Sequence, residues 1–261
     1  MTAPSPVAII TGGSGGLAPG IARVLRDEGY ALVLVGRDEA RLQRTADVLR
    51  DAAAAPVDAI PCDVTQAVSV GAMISAVLSR FGRIDLLVNA AASSNPIGGA
   101  IEEVDVDTLI GDLDTKVGGY LRCIRAVAPA MKQQGHGRIV NIGGLTGRSS
   151  DTLSGLRNVA VSHLTKVIAD QLGPFGLTVN AVHPGITRTP HLEELFADMA
   201  REKGTDSQAI EADFISQIPT RRLSSPEDIG EVVAFLGGRS GGSINGESIT
   251  VDGGYSRGIY L

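Results

Sequence analysis

The stretch VAIITGGSGGLAPGIARVL, Val7–Leu25, decides the fold. Its first four residues are apolar throughout, as in a parallel strand covered on both faces. Glycines and a serine follow at once, and then a segment with helical spacing. Glycine lets the chain turn tightly and brings backbone amides close to a pyrophosphate, whose charge a helix N-terminus favours. A glycine-rich run alone is weak evidence. Its place between a first strand and a first helix is the context that gives it meaning.

Working outward, strand-like runs recur at VAII (7–10), ALVLV (31–35), VDAI (57–60), IDLLV (84–88), RIVNI (138–142), LTVNAV (177–182) and SITV (248–251). Between them lie segments of helical period. DEARLQRTADVLRDAA places Leu42, Ala46 and Leu49 on one face, and LRNVAVSHLTKVIADQL does the same with Leu156, Ala160, Leu164, Val167 and Ile168. This alternation predicts an α/β chain: one Rossmann domain over residues 1–261, with a doubly wound parallel seven-stranded sheet and helices on both faces. Extra helical material breaks the rhythm at about 188–220, with a polar interruption at Lys203–Gln208. Ligands of open α/β sheets sit beyond the carboxyl ends of the strands. The insertion therefore reads as a substrate lid, or as a surface helix pair with no ligand.

Hydrophobic residues make up 43% of the 261, aromatics only 3% with no Trp, so Ala, Val, Ile and Leu must fill the core. The 23 basic and 29 acidic residues give a net charge of −6 with no long run of one sign, which argues against a nucleic-acid partner. The opening MTAPSPVAII has neither a basic start nor a long apolar segment, so no signal peptide is expected. No apolar run approaches the roughly 20 residues needed to cross a bilayer. No membrane partner is expected, and the expected location is cytoplasmic. Cys62 and Cys123 lack metal-type spacing and read as small buried hydrophobes.

Several motifs resemble the short-chain dehydrogenase/reductase family, over essentially the whole chain. Thr11, Gly12, Gly16 and Leu17, with Ser14 and Gly15 between them, match its threonine-glycine cofactor loop, Ala18 standing for the last glycine. Asp63 and Val64 in CDV match its adenine-contacting pair, and Asn89 and Ala90 in VNAAA the segment beside the ribose. Pro184, Gly185, Ile186 and Thr189 in HPGITRT match the loop that touches the nicotinamide, and SSPEDIGEVVAFLGG with INGESITVDGG the last helix and strand. The resemblance implies a nicotinamide dinucleotide, a small-molecule substrate, and a homotetramer or dimer formed through the helices containing RCIRAVAPAM and NVAVSHLTKVIA.

Cofactor choice has a physical reading. NAD-preferring sites place a carboxylate about 20 residues past the glycine loop to accept from the ribose hydroxyl. Here LVGRDEARL gives Gly36 and Arg37, and a guanidinium suits a ribose phosphate. Asp38 lies one residue further and reads as the cap of the next helix. NADP(H) is therefore favoured over NAD(H).

The chemistry is where the pattern departs. In this family a tyrosine phenol moves the proton that accompanies hydride exchange. A free phenol, with a pKa of about 10, needs a lysine one turn on and the cationic nicotinamide to lower it. A serine orients the substrate and an asparagine completes the proton path. Anchored on RIVNI and AVSHLTK, the serine position is Gly144, the tyrosine position Ser154, the lysine position Asn158 and the asparagine position Lys116. No register shift restores the phenol, because no Tyr lies between Tyr120 and Tyr255.

Substitutes are few. Lys116 would become a useful acid or base if a cleft desolvated it. Tyr120, four residues on, either shares its face or packs into the core. Arg157 is an anion binder or a surface charge; His191 is a proton donor at the start of the lid or an ordinary surface residue. His183 reads as a packing substitution, and Tyr255 and Tyr260 as residues that reach a neighbouring subunit's cleft. Two functions stay open. One is an atypical NADP(H)-dependent oxidoreductase acting on a small carbonyl, alcohol or activated alkene. The other is a catalytically silent dinucleotide-binding homologue, a sensor or partner subunit. A redox-neutral lyase or isomerase would need a general base that the sequence does not supply.

Overall fold

The computed structural model describes residues 5–50, 55–93, 97–98, 100–148 and 152–258. Strands form where the apolar runs predict them: β1 (Val7–Thr11), β2 (Ala31–Gly36), β3 (Val57–Pro61), β4 (Leu86–Asn89), β5 (Gly137–Ile142), β6 (Leu177–Pro184) and β7 (Ser248–Val251). All pair in parallel, in the order β3-β2-β1-β4-β5-β6-β7. The order reverses between β1 and β4, which opens a crevice beyond their carboxyl ends.

The two faces of the sheet carry separate cores. Helices α1 (Ala18–Asp27) and α2 (Glu39–Arg50), with the late helix α9 (Pro226–Gly237), cover one face. Ile21, Leu25, Leu42, Ala46, Leu49, Ile229 and Val233 meet Ile10, Leu32 and Leu34 there. Helix α3 (Ala67–Phe81), together with α5 (Gly119–Gln134) and α6 (Gly155–Leu172), covers the other. Met73, Val77, Cys62, Cys123, Val127 and Ala169 pack there on Ile9, Val33 and Leu87. The strands are apolar on both sides because both sides are buried, each full burial contributing about 1.5–3 kcal/mol. Both cysteines are buried thiols inside this packing.

Helix α4 (Val106–Leu113) runs into a π-helical turn at Asp114–Gly118 and then into α5. Helices α7 (Pro190–Lys203) and α8 (Ser207–Gln217) form the inserted pair, joined through Gly204 in the left-handed conformation and capped by Asp206. They share a small core of Phe196, Ala200, Ile210, Ile218 and Leu223.

One face differs from the periodic reading. In α6 the buried positions are Gly155, Asn158, Val161, Thr165, Ala169 and Leu172, while Leu156, Val159 and Val167 are exposed. The helix is apolar nearly all round, so periodicity could not choose the inward side. Asn158 and Thr165 turn inward because they have buried polar partners.

Candidate functional site

The glycine loop is tied to the segment after β4. Thr11, at the end of β1, is buried, and its Oγ1 accepts from the amides of Ala90 (3.0 Å) and Ala91 (3.2 Å). Gly12 has φ +68°, and a Cβ there would lie 2.8 Å from the Ala90 carbonyl oxygen. A Cβ on Gly16 would lie 3.0 Å from the Thr189 side chain. Helix α1 has a proline in its first turn and no side-chain cap. The amides of Ser14, Gly16 and Leu17 find no acceptor among the described residues. A loop with open amides at a helix N-terminus is chemically suited to a pyrophosphate.

This loop borders a cavity of about 950 Å³. Of the residues singled out in the sequence, Gly12, Ser14, Gly15, Gly16, Arg37, Asp63, Val64 and Ala90 line it. Leu17, Asn89, Pro184, Gly185, Ile186 and Thr189 stand outside its wall. Asn89 is fully buried and donates to Asn141 Oδ1 (2.9 Å), and Asn141 Nδ2 in turn donates to Thr165 Oγ1 (3.0 Å). Gly185 bonds through its amide to Val251 (2.9 Å), Ile186 packs on the α7–α8 core, and Thr189 caps α7.

At the far end of the cavity, Asp63 Oδ1 accepts from the Thr65 amide (2.9 Å) and hydroxyl (2.8 Å). Those hydrogen bonds, with the nearby Arg37 charge, hold its carboxyl below the usual range. Asp38 caps α2 by accepting from the Arg41 amide (2.9 Å), which keeps its carboxylate local. Arg41 was not among the sequence candidates. It lines the same cavity and reaches the Ser14 carbonyl (3.3 Å).

Lys116, Ser154 and Asn158, none of which lines the cavity, come together in a second cluster. Lys116 lies on the π-helical turn, buried, and its Nζ donates to the Gly143 carbonyl (2.8 Å) and to Asn158 Oδ1 (2.9 Å). Burial, with Arg157 acting in the same direction and Asp112 opposing it, brings its pKa down to about 7. Two bonds use both hydrogens of the neutral amine, which leaves its lone pair open. The ammonium form would have a third N–H to give.

Asn158 passes its amide to Thr146 (2.8 Å). A Cβ on Gly144 would lie 2.7 Å from Asn158 Nδ2, and one on Gly143 would lie 2.4 Å from the His183 ring. His183 is buried and meets the Ser162 hydroxyl at 3.0 Å, so it packs as the sequence suggested. Ser154 is buried too, its hydroxyl accepting from the Ile97 amide (2.9 Å).

Three other candidates have definite places. Tyr120 is a core residue: its hydroxyl donates to Ile142 (2.9 Å), and burial pushes the phenol pKa far up. It offers no phenol beside Lys116. Arg157 is neither a surface charge nor an open anion site, because it pairs with the buried Asp112. His191 is exposed at the cavity rim beside Pro190 and Glu194. Tyr255 packs against the α7–α8 core of its own chain, and Tyr260 lies outside the described residues.

A family model described as enoyl-(acyl carrier protein) reductase matches residues 12–256. The short-chain reductase protein NovJ of Streptomyces niveus is 34% identical over 251 residues, covering 95% of this chain and 93% of its own. The chain belongs to the short-chain dehydrogenase/reductase family. Among solved structures, L-sorbose reductase of Gluconobacter frateurii, complexed with NADPH and L-sorbose, superposes with a TM-score of 0.92 at 25% identity over 98% of each chain. An NAD⁺-bound xylitol dehydrogenase superposes at 0.88 with 26% identity, over 96% of this chain and 99% of its own. The two solved structures hold NADPH and NAD⁺, and the loop with open amides fits a nicotinamide dinucleotide. Among the described residues, no helix is long and apolar enough to cross a membrane.

Proposed function

We propose that the protein is an NADP(H)-dependent oxidoreductase of a small carbonyl, alcohol or activated alkene in which Lys116, not a tyrosine, handles the proton. The observation that carries this reading is a buried amine with a pKa of about 7, bonded to the residue at the family's lysine position. General acids work best when their pKa lies near the operating pH. The bound cofactor would supply or accept the hydride. Ser14, Gly15 and Gly16 would hold its pyrophosphate, Asp63 and Val64 its adenine, and Arg37 with Arg41 a ribose phosphate. Pro184, Gly185, Ile186 and Thr189 would bound the nicotinamide side. Helices α7 and α8 would close over the substrate as a lid, with His191 at its rim.

For Lys116 to act, Asn158 holds its Nζ in place while the remaining position on the nitrogen carries the proton to be given or taken. Gly144 and Ser154 stand in for the family's serine and tyrosine without performing either role: one lacks a hydroxyl and the other has committed it to Ile97. The exposed Leu156, Val159 and Val167 on α6 support a homotetramer or dimer.

The expected result is oxidation of NADPH with members of a carbonyl and enone panel. Lys116→Ala should lower kcat by about 10²–10⁴-fold, the usual contribution of a positioned acid. The same kcat in both proteins would remove Lys116 from the chemistry. A second reading has its own support, since Lys116, Ser154 and Asn158 all lie behind the cavity wall rather than on it. It makes the chain a silent dinucleotide-binding partner. Calorimetric binding of NADPH without turnover of any panel member would favour it.

A further inference from the structure

The cavity has one wall that the proposed chemistry does not use. Helix α4 and the turn after it present Thr108, Gly111, Asp112 and Thr115 to it, at the spacing of one helical face. Asp112 is 5% exposed and paired through Oδ1 with Arg157 of α6, whose Nη1 also donates to the Ser93 carbonyl at 3.3 Å. The pair is unfinished on both sides. Among the described residues, Asp112 Oδ2 and Arg157 Nε are buried with no hydrogen-bond partner.

A buried carboxylate oxygen without a donor is costly, and proteins rarely leave one so. The other oxygen is already held by Arg157, so the charge itself is compensated. What is missing is a single N–H or O–H. The carboxylate belongs to the cavity lining, and rotation of an Asp carboxyl about χ2 meets only a shallow barrier, so a small turn would present Oδ2 to a ligand. Asp112 also lies close enough to Lys116 to influence its proton. That places it at the reacting end of the cavity and away from the adenine end at Asp63.

We infer that Asp112, braced by Arg157, is a specificity residue that accepts a hydrogen bond from a hydroxyl or ammonium group carried by the substrate near its reacting carbon. This rests on the oxidoreductase reading above and narrows its substrate class to hydroxylated or aminated carbonyls and the alcohols they form. Sites built to satisfy a buried acceptor reject analogues lacking the donor, because the acceptor is then left unpaired. The phosphate and adenine contacts of the cofactor involve other residues, so discrimination should appear in the substrate and not in the nucleotide.

The test uses matched pairs. With NADPH, 1-hydroxybutan-2-one and 1-aminobutan-2-one are compared with butan-2-one. The expected preference for the donor-bearing ketones is roughly 10- to 100-fold in kcat/KM, the weight of one charge-assisted hydrogen bond. In Asp112→Asn/Arg157→Gln the ratio should collapse toward unity. The double variant leaves no lone buried charge, and the ratio is insensitive to changes in absolute rate caused by altered electrostatics at Lys116. NADPH affinity, read by fluorescence, should stay at the parent value.

A parent enzyme that treats the pairs alike would overturn the proposal. So would a ratio that survives in the double variant, or a variant that loses NADPH affinity while keeping the ratio. If no ketone is reduced, saturation-transfer NMR of NADP⁺-loaded protein with butane-1,2-diol against butan-2-ol decides the matter. Diol-selective binding lost in the double variant sustains the site while the oxidoreductase reading fails; absence of diol selectivity sinks the site itself.

Discussion

The wall of the cavity at β1 and the buried wall of side chains behind the cavity at β5 use glycine for opposite reasons. On the β1 side, Gly12 and Gly16 let backbone and the Thr189 side chain approach closely, and the amides around them stay open. On the β5 side, Gly143 and Gly144 exist because larger side chains have taken their space: the His183 ring against one and the Asn158 amide against the other. The first wall preserves a binding surface. The second is an interlocked cluster, in which Lys116, Gly143, Gly144, Asn158 and His183 fit one another. Conservative geometry at one wall therefore says nothing about conservative chemistry at the other.

The binding wall gives the first prediction. Arg37 and Arg41 both line the cavity, and Asp38 is held by its cap, so the local charge toward a ribose phosphate is positive. Arg37→Glu should weaken NADPH by about 10- to 100-fold, the worth of a charge-assisted hydrogen bond, and leave NADH binding level or better. Fluorescence titrations with both nucleotides check this. Equal losses for the two would mean that Arg37 serves the loop and not the phosphate.

The legibility of the chain follows the same division. Strands buried on both faces, such as β1 and β2, announce themselves as unbroken apolar runs, and the alternation with helical segments let the partly buried edge strands β3 and β7 be read as well. The glycine loop was legible because its function is backbone geometry, which glycine positions encode directly. Arg41 escapes such a reading because a second arginine on a helix looks like any solvated charge until the fold brings it to Ser14. The inward face of α6 escapes it too, because Leu156 and Val167 outcompete Asn158 and Thr165 on any hydrophobicity argument. Only the partners, Lys116 and Asn141, explain why polar residues are buried there. That no Tyr lies between Tyr120 and Tyr255 is visible in the sequence. The interlock of Lys116, Gly143, Gly144, Asn158 and His183 is not, because it depends on distances between β5, β6 and α6.

That interlock gives the second prediction. Gly144→Ser, which adds the side chain that the family resemblance leads one to expect there, should destabilise the cluster. Its Cβ would press on Asn158 Nδ2, and overpacking of this kind costs about 1–3 kcal/mol. Adding Asn158→Ala should recover part of that stability by removing the obstructing amide. Denaturant melts of the single and double variants provide the comparison. Additive losses would show that the wall is loose enough for its members to change independently.

The pH dependence of stability is the most diagnostic of the second wall, because it reads the charge of Lys116 without any substrate. Its folded pKa of about 7 lies below the ordinary 10.5 of the unfolded chain. Between those values the unfolded state holds a proton that the folded state does not, so stability from this group rises with pH across that window, by at most about 1.4 kcal/mol per unit. Below about pH 7 both states are protonated, and the full cost of burying the ammonium applies. Lys116→Met lacks the group, so its stability relative to the parent should be greatest at pH 6 and decline steadily toward pH 10. Urea midpoints across that range supply the curve. Two parallel profiles would mean that Lys116 keeps its proton in the folded protein, and the acid assigned to this wall would have to be sought elsewhere.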